Sequence, residues 1–152
     1  MTEAEINKAL ADSEPDVRFS AIQNPNATPN NIDKALSDSD ADIRYYAIRN
    51  LNANESNINK ALNDSEVYVK EAAIRNPNAN ESNIKKALND DDIGVRWYAI
   101  KHKNATEANI NKALDDDNIE IKLAAANHKN ASISNKEKAA NDPELISYLL
   151  KH

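Results

Sequence analysis

The chain repeats a pattern every 26 residues, and this period restricts its possible folds more than any other feature. Five units place isoleucine at the start of an apolar stripe: Ile6, Ile32, Ile58, Ile84 and Ile110. Lys, Ala, Leu and Asp follow that isoleucine at offsets of 2, 3, 4 and 6 residues, and a sixth unit continues in phase from Lys136. A period of about 20 to 50 residues is typical of solenoids, in which each repeat buries its apolar face against its neighbours. We therefore predict a single repeat domain over 1–152, with repeats at about 2–27, 28–53, 54–79, 80–105, 106–131 and 132–152.

Each repeat predicts two helices, which we call helix A and helix B. Helix A follows a residue whose side-chain oxygen can accept a backbone N–H bond: Thr2, Thr28, Asn54, Asn80, Thr106 or Ser132. Its Ile, Ala and Leu recur at i, i+3 and i+4, and we expect a helix of about 10 residues. Helix B begins after Ser or Asp, with first core positions at Val17, Ile43, Val69 and Val95. The predicted fold is all-α, a right-handed α-solenoid of about six 26-residue two-helix repeats.

Asparagine dominates the turn that leaves helix B, as in RNPNANESNI at 75–84. In two repeats helix B should end before Asn-Pro, because proline pushes the preceding residue out of the α region. Glycine occurs only at Gly94, so we expect asparagine to supply turn conformations with positive φ. His102 and His128 replace this Asn. Two histidines without a third ligand pattern indicate turn residues rather than a metal site.

The units resemble the variant leucine-rich repeat, whose pattern is a D-x-D-x-x-V-R-x-x-A helix, then N-P-N-x-x, then a short helix. Residues 38–54, DSDADIRYYAIRNLNAN, carry most of that pattern, and 64–78 end it with IRNPN. The D…VR…A portion is also similar to HEAT repeats. The resemblance implies an α-solenoid and leaves open whether helix A is α or 3₁₀. Some members carry an iron–sulfur module bound by cysteines, but this chain has no cysteine, so we expect no cofactor.

Charged residues also follow the period. Asp recurs in all six units, and a basic residue comes six positions later at Arg18, Arg44, Lys70, Arg96 and Lys122. Helical geometry places this basic residue between core positions, where a charge needs a partner. We expect an Asp–Arg ladder between neighbouring repeats, with recognition of a partner as the alternative role. The lysine series of helix A, such as Lys60, should lie opposite the apolar stripe as a solvated ridge.

Six of the seven aromatic residues, and all five arginines, fall in helix B. Tyr, Trp and Arg are enriched at interface hot spots. If helix B lines the concave side, these side chains form a binding surface; the alternative is that the rings fill gaps between adjacent B helices. The predicted partner-binding residues are Tyr45, Tyr46, Tyr68, Trp97, Tyr98, Arg49, Arg75 and Lys101. We also predict a shallow notch with Ala72 as its floor and Tyr45 and Trp97 as its walls.

The net charge of −6 argues against nucleic acid as the main partner, because binding without a concentrated basic patch loses the counterion-release contribution. No nucleophile–base pair, metal set or Gly-rich phosphate loop indicates an enzyme. We therefore predict a monomeric, non-enzymatic scaffold that binds a protein or peptide. The alternative is a HEAT-like solenoid that binds nucleic acid through an inner basic and aromatic stripe. The absence of a signal peptide and of an apolar run of about 20 residues predicts a cytoplasmic protein without membrane contact.

Overall fold

The computed structural model describes all residues, 1–152, and contains twelve α-helices and no strand. The predicted all-α class is confirmed. The chain divides into two compact units at Ala79 and Asn80, which is also a predicted repeat boundary. Each unit contains three helix pairs, as follows from the order of its elements.

The first unit, Met1–Ala79, comprises α1 (Glu3–Ala9), α2 (Pro15–Ile22), α3 (Pro29–Ala35), α4 (Ala41–Ile48), α5 (Glu55–Ala61) and α6 (Val67–Arg75). Its A helices α1, α3 and α5 pack in succession, and so do its B helices α2, α4 and α6. Each A helix also packs against the B helix of its own repeat. The unit therefore consists of two helical layers, and the B layer is a continuous face.

The second unit, Asn80–His152, comprises α7 (Glu81–Ala87), α8 (Ile93–Lys101), α9 (Glu107–Ala113), α10 (Ile119–Ala126), α11 (Ile133–Ala140) and α12 (Pro143–Lys151). It repeats the same arrangement, with α7, α9 and α11 in one layer and α8, α10 and α12 in the other. In each unit the exposed residues of the B helices lie on the surface of the B layer. We call this surface the B face of that unit.

Helix A is α-helical and shorter than expected, with seven residues in five repeats and eight in the sixth. The six predicted caps all accept a hydrogen bond from the backbone N–H three residues later. The leucine that recurs four residues after the isoleucine lies just past the end of helix A. Leu36, for example, is the C-cap and donates its N–H to Ile32 O. The capping residue therefore largely determines at which residue such a short helix begins.

The core is made by the isoleucine stripes, as predicted, but Val17 is not part of it. Ile43 and Val69 at the equivalent positions are 1% and 0% exposed, whereas Val17 is 40% exposed. In the first unit α4 and α6 each pack against a preceding B helix, and α2 packs only against α1, α3 and α4. The side of α2 that carries Val17 therefore has no covering helix.

The turn prediction is also wrong in its mechanism. No residue of the chain has a positive φ. The helix does end at Asn-Pro in the third repeat, where the C-cap Asn76 has an extended backbone with ψ of 128°. The asparagine side chains instead bond the main chain of neighbouring turns.

Candidate functional site

The B face is held in place by ion pairs between consecutive repeats. Arg44 Nε lies 2.7 Å from Asp64 Oδ2, and its Nη2 lies 3.0 Å from Asp64 Oδ1, so the guanidinium is bidentate. The same pairing joins Arg18 to Asp38 at 2.8 Å and Arg96 to Asp116 at 2.9 Å. Bidentate charge-assisted bonds restrict orientation as well as distance. The predicted ladder is confirmed in these pairs, and it links neighbouring repeats.

The carboxylate of Asp64 also bonds the N-cap residue Glu66 of the following helix, which lacks the predicted Ser or Asp side-chain cap. Its Oδ1 accepts the Glu66 N–H at 2.9 Å. Burial would raise the pKa of the Asp64 carboxyl, but the hydrogen bonds from Arg44 and Glu66, with the Arg44 charge, hold that pKa below its ordinary value of 3.8. The same contacts with Asp64 raise the pKa of Arg44 despite its partial burial. The pair is consequently ionised in the folded protein at neutral pH.

A second ladder is built from the turn asparagines. Asn76 is 3% exposed, and its Nδ2 donates to Ile48 O at 2.7 Å and to Asn50 O at 3.1 Å. Its Oδ1 accepts the Asn78 N–H at 2.9 Å. Asn50 makes the equivalent bonds one repeat earlier. Each turn therefore binds the turn before it, which explains why the NPNAN sequence recurs.

Histidine performs the same task in the second unit, so its prediction as a turn residue is confirmed. His102 Nδ1 accepts the Asn104 N–H, and His128 Nδ1 accepts the Asn130 N–H, each at 3.1 Å. His128 Nε2 lies 3.1 Å from His102 O, the position that the Asn amide occupies elsewhere. The two bonds of His128 correspond to two of the three bonds of Asn50, with the Nε2–H tautomer of His128 as the donor.

A third ladder lies in the A layer and was missed in the sequence. The third residue of helix A is Asn in five repeats, and each is buried: Asn31, Asn57, Asn83, Asn109 and Asn135. Asn57 Nδ2 donates to Pro29 O at 3.1 Å, and Asn109 Nδ2 donates to Glu81 O at the same distance. The sequence did contain a signal for this ladder, because an asparagine recurs beside a buried isoleucine. A buried amide needs hydrogen-bond partners.

The lysine series is not simply a solvated ridge. Lys60 Nζ reaches the preceding A helix and donates to Asp33 O at 2.8 Å and to Ser37 Oγ at 2.8 Å. Lys138 makes the corresponding bonds to Asn111 O and Asp115. The long aliphatic side chain allows the ammonium group to lie above the neighbouring helix rather than pointing away from it.

We expect Lys60→Met to reduce the free energy of unfolding by less than about 1 kcal/mol, because the Lys60 ammonium is partly exposed and screened by solvent. Urea unfolding followed by circular dichroism measures this change. A loss of more than about 2 kcal/mol would show that these lysine bonds contribute as much as the buried ladders.

The predicted aromatic residues of the first unit form what we call the aromatic row, which crosses its B face. The ring centroids are separated by 4.6 Å for Phe19 and Tyr46, 5.2 Å for Tyr46 and Tyr45, and 5.7 Å for Tyr45 and Tyr68. The first two pairs are edge-on and the third is tilted, geometries that are favourable for aromatic pairs. Phe19 with Tyr46 and Tyr45 with Tyr68 therefore pack between adjacent B helices, and the rings remain partly exposed.

Tyr68 ends the aromatic row and is 39% exposed. Its hydroxyl donates to Asp42 Oδ1 at 3.3 Å. Burial and the Asp42 carboxylate raise the pKa of this phenol, so the hydroxyl remains protonated and a donor. Tyr45 and Tyr46 are half-buried. At the other side, the Arg49 guanidinium lies 5.2 Å from the Tyr45 centroid and 5.8 Å from that of Tyr46, within cation–π range.

Next to this row is a surface pocket with a volume of about 250 Å³, which we call the Tyr45 pocket. It is lined by Tyr45, Arg49, Ala72, Arg75, Asn76 and Pro77. Ala72 occupies the register of Tyr46 one repeat earlier, so a small side chain leaves the space that a ring fills there. Both arginines are exposed at its rim. Four of the predicted site residues, Tyr45, Tyr46, Tyr68 and Arg49, are thus together, with Arg75 across the pocket.

In the second unit the predicted residues Trp97, Tyr98 and Lys101 form a separate group. The rings of Trp97 and Tyr98 are 5.3 Å apart, and Lys101 Nζ lies 5.5 Å from the Trp97 centroid. Trp97 is 38% exposed, and Tyr98 is half-buried. None of the four rings on which the notch was based is buried. The structure brings Tyr45 and Ala72 together, whereas the second wall of the notch, Trp97, belongs to the other unit and stays a prediction.

The chain contains no group of three or more His, Cys, Asp or Glu side chains that could hold a metal ion. None of its helices combines the length and apolar character needed to cross a bilayer. No model of a known protein family matches the chain, and no curated protein matches it. The candidate site is therefore defined here by its own geometry.

Proposed function

We propose that the protein is a non-enzymatic scaffold that binds a protein or peptide partner on the B face of its first unit. The observation that carries this proposal is the Tyr45 pocket, in which a small floor, an aromatic wall and two exposed arginines converge. An aliphatic side chain of the partner would contact Ala72 and Tyr45. Acidic side chains beside it would pair with Arg49 and Arg75, since Arg forms directional bonds to carboxylates.

The repeats supply the rigidity that such a surface needs. The B helices of the first unit are joined by the Arg–Asp pairs and by the asparagine turns. A preformed surface binds with less loss of conformational entropy than one that must order itself. The proposal includes a right-handed α-solenoid of six repeats similar to variant leucine-rich repeats, because the 26-residue phase continues from Ile58 to Ile84. We further propose that the protein is monomeric and cytoplasmic.

The test is a selection of random peptides on the immobilised full chain, followed by binding measurements with the selected peptides. We expect selected peptides to combine an aliphatic residue with Asp or Glu. Arg49→Ala combined with Arg75→Ala should raise Kd at least tenfold, because two charge-assisted contacts are lost. Ala72→Tyr, which inserts the side chain found at Tyr46, should fill the pocket and have a similar effect.

Lys8→Ala serves as the matched control, since Lys8 is an exposed basic residue of the same unit on the A layer. It should leave Kd unchanged. Circular dichroism and thermal unfolding establish that each variant is folded. Peptides that bind all variants equally would contradict the proposal. Tight binding of duplex DNA at physiological salt, lost in the arginine variants, would favour the nucleic-acid alternative instead.

A further inference from the structure

The second unit contains a pocket that sequence reasoning did not identify and that the proposed function does not use. It has a volume of about 400 Å³ and lies where α8 and α10 end. Lys101 and Lys103 line it from one repeat, and Leu123, Ala124, His128 and Lys129 line it from the next. We call it the Lys129 pocket.

Its position follows the repeat register. Ala124 is two repeats, or 52 residues, after Ala72, and Lys101 is 52 residues after Arg49. Repeats two and four carry the large rings Tyr46 and Tyr98 at the register where repeats three and five carry alanine. A large side chain followed by a small one leaves a space beside the ring-bearing helix. The same alternation thus accounts for one pocket in each unit.

The charge of the Lys129 pocket is opposite to that of the whole chain. Lys101, Lys103 and Lys129 are all exposed at the pocket, and no Asp or Glu side chain lines it, although the net charge of the protein is −6. The C-terminal ends of α8 and α10 carry partial negative charge, so the attraction for an anion comes from the three lysines alone. Charge complementarity therefore selects an anionic ligand.

The floor of the pocket determines what kind of anion fits. Leu123 and Ala124 are half-buried aliphatic residues, and Leu123 stands at the register of Tyr45 and Trp97. Single-stranded nucleic acid needs aromatic faces on which bases stack, and no Phe, Tyr or Trp lines this pocket. Its one imidazole, that of His128, is held by bonds to the turns. Lysine ammonium groups are flexible point charges that suit carboxylates in several positions. An aliphatic floor with a lysine rim fits an acidic peptide better than a nucleic acid.

We propose that the Lys129 pocket is a second binding site, which takes a short acidic peptide segment with one aliphatic side chain on Leu123 and Ala124 and carboxylates at the three lysines. This proposal rests on the proposed function only for the class of partner, a protein or peptide. It uses none of the residues of the Tyr45 pocket.

The experiment is a titration of the full-length, ¹⁵N-labelled protein with the peptide EELEE, acetylated and amidated, at physiological salt. The neutral peptide QQLQQ is its control. We expect EELEE to shift the amide signals of residues 101–103 and 123–129, and QQLQQ to shift them little. Lys103→Gln combined with Lys129→Gln should raise Kd for EELEE at this site at least tenfold. Ala124→Tyr should do the same by filling the pocket.

The outcomes separate the two proposals. Signals that shift only around Arg49 and Arg75 would overturn the second site and leave the proposed function standing. Signals that shift only at 101–103 and 123–129 would support the second site and count against the first. Equal shifts with EELEE and QQLQQ, or no effect of the lysine variant, would contradict the Lys129 pocket as a carboxylate site. Stronger binding of a DNA oligonucleotide or of phosphatidylserine vesicles at these lysines would contradict the choice of peptide.

Discussion

Asn76→Ala is expected to lower the free energy of unfolding by about 3 kcal/mol, because it leaves several buried main-chain groups without partners. The carbonyls of Ile48 and Asn50 would lose their donor, and the N–H of Asn78 would lose its acceptor. Asn76 is nearly fully buried, so water cannot readily replace these bonds. Urea unfolding at pH 7, monitored by circular dichroism, measures the change.

Asn24 offers a matched control for this substitution. It accepts the Asn26 N–H at 2.9 Å, as Asn76 accepts that of Asn78, but its amide nitrogen donates to no carbonyl of another turn. Asn24→Ala should therefore cost about 1 kcal/mol, the contribution of one such bond. Equal losses for the two variants would show that the bonds between turns do not stabilise the stack.

Asp64→Ala is expected to lower the free energy of unfolding by about 2 to 3 kcal/mol. It removes the acceptor of a bidentate Arg44 contact and of the Glu66 N–H bond. The remaining Arg44 charge is partly buried, and an unpaired charge in such a place is destabilising. Thermal and urea unfolding of the variant against the parent protein give the difference.

Asp12→Ala isolates the arginine contact. Asp12 holds the same position in the first repeat and accepts the Glu14 N–H at 2.9 Å, but no arginine side chain of an earlier repeat reaches its carboxylate. It should therefore lose only the hydrogen bond from the Glu14 N–H, about 1 kcal/mol. If Asp12→Ala and Asp64→Ala were equally destabilising, the ion pair would contribute nothing beyond that bond.

The dependence on pH provides a further measurement on Asp64. Its pKa lies below the ordinary value of 3.8, so the folded state binds its proton less readily than the unfolded state does. The contribution of Asp64 is thus fully present above that ordinary value and is lost as the pH falls through the lowered pKa. The stability difference between the parent and Asp64→Ala should shrink below about pH 4. A difference that stays constant down to pH 2 would contradict the ion pair.

The helical repeat could be predicted because its signals are local. The 26-residue period, the capping residues such as Thr28, and the paired Asp and Arg positions are all visible along the chain. A cap acts on a backbone N–H only three residues away, so the residue type and its spacing are sufficient to predict it. The pairing of Arg44 with Asp64 could also be predicted, because residues of opposite charge recur at a fixed spacing along the chain.

The candidate site could be predicted in part. Tyr45, Tyr46 and Arg49 were chosen because their types are enriched at interfaces, and the structure does place them together on the B face. The Lys129 pocket was missed, although Lys103 and Lys129 share one register. A pocket is the space left between side chains of different size on two packed helices, so it exists only when their distance and orientation are known.

By itself, the sequence determined where the A helices begin, which faces carry the apolar stripes and which repeats alternate between large and small side chains. The predicted Ser or Asp cap of helix B is wrong for α2 and α6, whose N-caps Glu14 and Glu66 make no side-chain cap bond. Only the tertiary structure decided what the asparagines and lysines do. Asn76, Asn57 and Lys60 donate to main-chain carbonyls of the preceding repeat. Every residue has such a carbonyl, so the sequence does not indicate which carbonyl accepts the bond. A ladder between a side chain and a backbone becomes visible only when the repeats are stacked, because packing, and not residue identity, selects the acceptor.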